Sequence, residues 1–309
     1  MIDLVEPVKK VLRFSPSLYK TAYTFYRATP LGKRRMAEIE RRMAEIDEQT
    51  ARLLQLRIEQ ELLFINKYMN DDWTVRYGPF AGMKYAPITS GSLLSPKVIG
   101  SYESSIHQWI TDAINHNYQT IINVGSGEGY YAVGFSLKSQ NSNVFAYDRD
   151  KDARENVATL ANLNGTADRV HIRALCTKDE LKREITKGTL IFCDIDGGEF
   201  DLFRPDVIPE LLQADLIIET HDYGSPGVTE ALVQRFLPSH RVDISYHCAK
   251  YASDFPVLEA IPNRERAFLV EEARPLNQNW MRLLANRPGA IKPDPNHWWS
   301  CGGEQNGSM

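Results

Sequence analysis

Of the 309 residues, 43% are hydrophobic and 25% charged, proportions of a globular chain that exclude disordered, collagenous and disulfide-scaffold classes. Lys and Arg number 36 against 40 Asp and Glu, a net charge of -4, which argues against a chain-wide basic surface for nucleic acid. At roughly 150 residues per domain the length admits two domains, or one enlarged domain with an appendage. Four cysteines, Cys176, Cys193, Cys248 and Cys301, form no CxxC pair, so neither a zinc ribbon nor a disulfide framework is indicated and a reducing compartment fits. The opening residues mix Asp3, Glu6, Lys9, Lys10 and Arg13 with isolated apolar side chains, unlike a signal or transit peptide. No run approaches the roughly 18 apolar residues of a membrane span. The expectation is a cytoplasmic protein with no membrane span.

Residues 1–32 form an N-terminal segment, and a long amphipathic helix is predicted over 33–70. Within it Arg34–Glu40 recurs as Arg41–Asp47. Met36, Ile39, Met43, Ile46 and Leu53 follow the alternating three and four spacing of a coiled-coil seam, with Thr50 in the seam and Arg57 at its end. Leu54, Ile58, Leu62, Ile65 and Met69 carry a second stripe. The helix over 33–69 is therefore a candidate homodimer contact, with packing against its own domain as the alternative. Arg34, Arg35, Arg41 and Arg42 alternate with Glu38, Glu40, Glu45 and Asp47, a solvated face and not a nucleic-acid surface.

Gly78-Pro79, Gly82, Pro87 and Gly91 make 71–100 a turn-rich connector. A helix over 101–115 leads into a βα repeat expected to occupy 101–287. The strand candidates are Thr120–Val124, Asn143–Tyr147, Val170–Leu175, Thr189–Cys193, Leu216–Thr220, Arg241–Tyr246 and Ala267–Val270. Continuous apolar centres in the first five suit a parallel sheet covered on both faces. The predicted architecture is α/β, a Rossmann-like seven-stranded doubly wound sheet with an N-terminal helical extension. The tail over 288–309 reads as irregular apart from what Trp298 and Trp299 anchor.

The segment Thr120–Tyr130 runs from an apolar strand into Gly125-Ser126-Gly127-Glu128-Gly129 and then a helix. Such a turn lets backbone approach a nucleotide-like ligand at a helix N-terminus. Its G-x-G-x-G spacing puts Tyr130 where a dinucleotide fingerprint needs glycine, which disfavours nicotinamide and flavin. Asp148 follows the second strand, 19 residues past Gly129. An acid there accepts hydrogen bonds from both ribose hydroxyls, or else caps the helix that follows.

This pattern resembles class I S-adenosylmethionine-dependent methyltransferases. Asp194-Ile195-Asp196-Gly197-Gly198-Glu199-Phe200 and Leu216-Ile217-Ile218-Glu219-Thr220-His221-Asp222 narrow the resemblance to the FkbM-like family, with Asp196 replacing the commoner glutamate. The resemblance implies transfer of a methyl group from S-adenosylmethionine to a hydroxyl of a sugar or other natural product. It also implies that Gly125, Ser126, Gly127 and Glu128 hold the methionine half and that Asp148, beside Arg149, holds the ribose. Leu175 and Cys176 would border the adenine, Asp194 would flank the cofactor, and Glu103 would reach its ammonium group.

His221, with Asp222 beside it, is the candidate base, since an imidazole near pKa 6.5 suits proton abstraction at neutral pH. Alternatively, Asp194, Asp196, His221 and Asp222 bind Mg²⁺, an arrangement similar to that of catechol and sugar O-methyltransferases, which would acidify an acceptor hydroxyl. Tyr85, His247, Lys250 and Tyr251 are further candidates for the acceptor pocket. The competing class is a cofactor-binding but catalytically silent scaffold assembling through the 33–69 helix.

Overall fold

The computed structural model describes residues 29–222, 226–247, 249–272 and 278–286. Most of the N-terminal segment, the tail with Trp298 and Trp299, and Cys248 and Cys301 lie outside the described residues. The chain divides into two compact units, 1–59 and 60–309, and the division falls inside helix α1 (Pro30–Met69). In the first unit Ile39, Ile46 and Leu53 are 42%, 60% and 67% exposed. On the same stretch Arg41 pairs with Glu45 and Arg42 with Glu38, each four residues apart. Exposed pairs of this kind add only a few tenths of a kcal/mol apiece, roughly, to the helix.

In the second unit the end of α1 is a packing element, with Ile65 and Met69 buried and Phe64 edge-on to Phe268. Glu61, fully buried, accepts the Leu94 amide at 2.8 Å and the Ser95 hydroxyl at 2.6 Å. These bonds tie α1 to the short helix α2 (Ser95–Ile99). The connector is thereby bound to the main body. Among the described residues no helix is long and apolar enough to cross a membrane.

The remaining helices are α3 (His107–His116), α4 (Tyr130–Lys138), α5 (Lys151–Leu163), α6 (Lys178–Glu184), α7 (Glu199–Leu202), α8 (Val228–Phe236) and α9 (Asn263–Val270). Seven strands, β1 (Thr120–Val124), β2 (Asn143–Tyr147), β3 (Val170–Arg173), β4 (Thr189–Cys193), β5 (Asp215–His221), β6 (His240–Tyr246) and β7 (Gln278–Ala285), form one sheet in the order β3-β2-β1-β4-β5-β7-β6. The pairs from β3 to β5 are parallel, and β7 runs antiparallel to both its neighbours. The 3-2-1-4-5 half is the doubly wound order of nucleotide-binding sheets, which places ligands at the carboxyl edge where the winding reverses, here between β1 and β4.

One predicted strand is corrected: Ala267–Val270 closes helix α9, and the seventh strand is Gln278–Ala285. The strand was concealed by Arg282 at its centre, a residue normally excluded from a buried strand. Here its guanidinium bonds Asp243 of β6 and Asp112 of α3 at 2.8–3.1 Å and lies over the Trp109 ring, so the charge is buried with partners.

Candidate active site

The strand register sets the site. Val124 pairs with both Tyr147 and Cys193, and Cys193 pairs with Ile218, so residues 125, 148, 194 and 219 stand side by side at the carboxyl edge. Of these, Gly125, Asp194 and Glu219 border a cleft of about 250 Å³ whose wall also includes Ser126, Gly127 and Tyr131. Gly125 has φ +75°, and a Cβ there would stand 1.7 Å from the Asp194 carbonyl oxygen. The loop therefore closes against β4 only with glycine. The Gly127 amide donates to Asp148 Oδ2 at 2.8 Å, and the Asp150 amide to Oδ1 at 2.8 Å. Helix α5 is capped by Asp150, which accepts the Asp152 amide, and the half-buried Asp148, outside the cleft wall itself, is joined to it through the Gly127 amide. Ser126 Oγ and Gln278 Oε1 are buried in the wall without a hydrogen-bond partner among the described residues.

Glu128 has a different setting from the glycines. It is buried in an ion pair with Lys97 and accepts the Tyr85 hydroxyl at 2.6 Å and the Ser90 amide at 2.9 Å. Burial alone would raise its carboxyl; the Lys97 charge and these bonds overcome that and hold it below the usual range. Lys97 also donates to Ser92 Oγ at 2.5 Å. Glu128 is thus a latch that fastens the connector over the glycine loop, and Ser90, Gly91 and Ser92 become cleft wall.

On the other side of the cleft, the pleat of β5 brings Glu219 and His221 to one face, and the register puts Asp194 beside Glu219. His221, 1% exposed, donates from Nδ1 to the fully buried Glu199 carboxylate at 2.7 Å. Its Nε2 stands 3.4 Å from Asp194 Oδ1, 3.4 Å from Asp196 Oδ1 and 3.5 Å from Glu219 Oε2. Burial by itself would lower the imidazole, but Glu199, Glu219 and Asp194 outweigh it and hold it up at about 10. Desolvation and the neighbouring Glu219 charge push the Asp194 carboxyl well above the usual range. The Asp194 side chain is about one-third exposed, which makes the adjacent carboxylate the sturdier of the two causes. Asp196 is exposed with φ +53°, an uncommon backbone for a residue with a side chain.

Asp222 does not join this group. Its carboxylate accepts the Gly227 amide at 2.9 Å and the Thr229 hydroxyl, securing the start of α8. Arg149 and Leu175 are exposed and Cys176 is packed into the core, where burial pushes its thiol up to about 12; none of the three lines the cleft. Leu175 falls outside because β3 ends at Arg173. Glu103 is buried next to the cleft, accepting the Tyr131 hydroxyl while its own amide donates to Glu272 at 2.7 Å. Lys250 is buried in an ion pair with Glu272, a cleft residue, whereas His247 and Tyr251 are exposed. Sequence reasoning missed Glu199, Glu219, Lys97 and Gln278. Glu199 and Glu219 carried a signal, the first as the last acid of the Asp194–Phe200 segment and the second as an acid inside an apolar strand, which burial tolerates only with partners.

His107, at the start of α3, bonds the Tyr102 carbonyl oxygen through Nε2 at 2.8 Å. Burial, aided by the nearby Lys250 charge, pulls its imidazole down to about 4 despite that bond. A folded value below the ordinary 6.5 means that its contribution to stability is complete above pH 6.5 and lost as pH falls toward 4. Denaturant melts across that window should show wild type losing on the order of 2 kcal/mol more than His107→Gln. Equal losses would remove the assignment.

No known family model and no curated protein matches this sequence. Among solved structures, the chain is similar to a SAM-dependent O-methyltransferase from Thermotoga maritima, at 12% identity over 60% of this chain and 66% of that one, with a TM-score of 0.40. It is also similar to the O-methyltransferase TomG from Streptomyces achromogenes, involved in tomaymycin synthesis and solved with SAM, at 12% identity over 55% and 75% of the two chains, with a TM-score of 0.39. These overlaps are partial, and the chemistry of the cleft is set by its own residues.

Proposed function

We propose that this chain is an S-adenosylmethionine-dependent methyltransferase, FkbM-like in its motifs, that O-methylates a hydroxyl of a sugar or other small natural product. The observation that carries the reading is the glycine loop bonded through Gly127 to the Asp148 carboxylate at the level carboxyl edge of the sheet. A nucleoside fits this edge, with its ribose on Asp148 and its attached chain along Gly125 and Ser126, whose buried hydroxyl lacks a described partner. When bound, S-adenosylmethionine supplies an electrophilic methyl carbon.

Alignment is the protein's main task in such a displacement, and a hydroxyl acceptor must also lose a proton. His221 is poorly suited to take it, because an imidazole held at about 10 already carries its proton at neutral pH. Asp196 is the better acceptor: its left-handed backbone brings an exposed carboxylate to the cleft wall. A divalent cation beside it would lower the pKa of the acceptor hydroxyl.

Calorimetry with S-adenosylmethionine and S-adenosylhomocysteine tests the proposal. Wild type should bind both, Asp148→Ala should bind about 10- to 100-fold more weakly, as expected for lost charge-assisted hydrogen bonds, and Asp196→Asn should bind like wild type. Unchanged affinity in Asp148→Ala would remove the ribose assignment. Binding of neither ligand by wild type would end the methyltransferase reading.

A further inference from the structure

The cluster behind the cleft supports a more specific assignment. We infer that Asp194, Glu219 and His221 form a binding site for a first-row transition-metal dication, such as Mn²⁺, Co²⁺ or Zn²⁺, in preference to Mg²⁺; the proposal rests on the methyltransferase reading only for the use to which the metal is put.

The backbone brings the three donors together without a strained turn. Glu219 and His221 are two residues apart on β5 and share a face, while Asp194 is the first residue past β4, in register with Glu219. One donor atom from each residue lies within 4.8 Å of the others. His221 Nε2 is 3.4–3.5 Å from an oxygen of Asp194 and of Glu219. Ligands held about 2.0–2.1 Å from an ion at tetrahedral angles are about 3.3–3.4 Å apart. The two distances from Nε2 match that edge.

The second observation is the support behind the imidazole. Glu199, fully buried, accepts the Nδ1 proton at 2.7 Å and is itself held by the Gly197 amide at 3.1 Å. That bond makes Nδ1 the nitrogen that keeps its proton, so Nε2, facing Asp194 and Glu219, is the one that releases a proton when a metal ion binds. A carboxylate on the far nitrogen of a ligating histidine is the recurrent way in which proteins orient such a ligand and raise its basicity. Asp196, whose Oδ1 also stands 3.4 Å from Nε2 and whose side chain is 77% exposed, would be the solvent-facing carboxylate beside a bound ion.

The preference among metals follows from the donors. Mg²⁺ takes oxygen ligands and retains several waters, whereas a nitrogen donor beside carboxylates suits Mn²⁺, Fe²⁺, Co²⁺ or Zn²⁺. The Mg²⁺ expected from the sequence came with Asp222 as a ligand, and the structure engages that carboxylate elsewhere.

The test uses the full chain, stripped with chelator and titrated calorimetrically with Co²⁺, Zn²⁺ and Mg²⁺, with visible absorption recorded for Co²⁺. One Co²⁺ or Zn²⁺ per chain should bind at least tenfold tighter than Mg²⁺, and Co²⁺ should show the visible bands of a site with nitrogen and oxygen donors. Glu199→Gln should weaken Co²⁺ binding about 10- to 100-fold. Because Glu199 is buried and its variant can fail to fold, Asp194→Asn, at a partly exposed position, provides a second variant with the same expected loss. Mg²⁺ binding as tightly as Co²⁺, no stoichiometric binding of any of the three, or unchanged Co²⁺ affinity in folded variants would overturn the assignment. Titrating the stripped chain with S-adenosylmethionine separates the two proposals. Cofactor binding without metal binding defeats the metal site alone, and metal binding without cofactor binding defeats the methyltransferase reading alone.

Discussion

Lys97→Met is expected to destabilise the second unit by about 3–5 kcal/mol, the usual cost of removing one partner from a buried ion pair. Both side chains are 3% exposed, so Glu128 would be left charged in a dry site with only Tyr85 and the Ser90 amide as donors. Methionine has nearly the length of the lysine stem, so volume is kept while the ion pair and the ammonium's contacts with the Tyr102 and Tyr130 rings are lost together, which makes the charge the cause. A drop in melting temperature of roughly 10 °C is the expected readout for a unit of this size. The double variant Lys97→Met, Glu128→Gln should recover part of the loss, because no uncompensated charge remains. The change should also be felt in the cleft, since the Ser90–Ser92 turn is held over the glycine loop through this pair. A melting temperature within about 2 °C of wild type would show that the latch contributes little.

Gly125→Ala is the second large effect. A Cβ at this position meets the Asp194 carbonyl oxygen at 1.7 Å and its carbon at 2.8 Å, both backbone atoms that cannot rotate away. The left-handed backbone alone costs an L-residue about 1–2 kcal/mol. Relieving the overlap requires β1 and β4 to part at their carboxyl ends, so a total of about 3 kcal/mol or more is expected. The neighbouring glycine is the control. Gly127 also has positive φ, but the nearest atom to its added Cβ is 3.7 Å away on Ser90, and Gly127→Ala should cost only the backbone term. Thermal melts of the two variants should therefore differ clearly, and S-adenosylmethionine affinity should fall far more in Gly125→Ala. Equal effects would mean that backbone torsion, and not the approach of the loop to β4, is what requires glycine at Gly125.

The parts of this protein determined by sequence alone are those written in local pattern. Continuous apolar runs such as Ile121-Ile122 and Leu216-Ile217-Ile218 mark strands buried on both faces, and the structure has strands at both. The glycine turn after β1 was legible for the same reason, since the positive φ of Gly125, Gly127 and Gly129 is open to few other residues. What tertiary structure decided is every property that depends on a partner distant in sequence. Arg282 is acceptable in a central strand only because Asp112 and Asp243 reach it. Glu128 leads the glycine loop's helix like a cofactor ligand, yet Lys97, 31 residues away, makes it a latch. Asp222 reads like a partner for His221, yet the Gly227 amide and the Thr229 hydroxyl engage its carboxylate. Glu199 and Glu219 lie inside recognisable segments, yet they acquire their place only from the register of β4 on β5 and from a buried hydrogen bond to His221. A charged group's role is fixed by the charges and dipoles within a few ångströms of it, and the sequence does not encode those neighbours as adjacent letters.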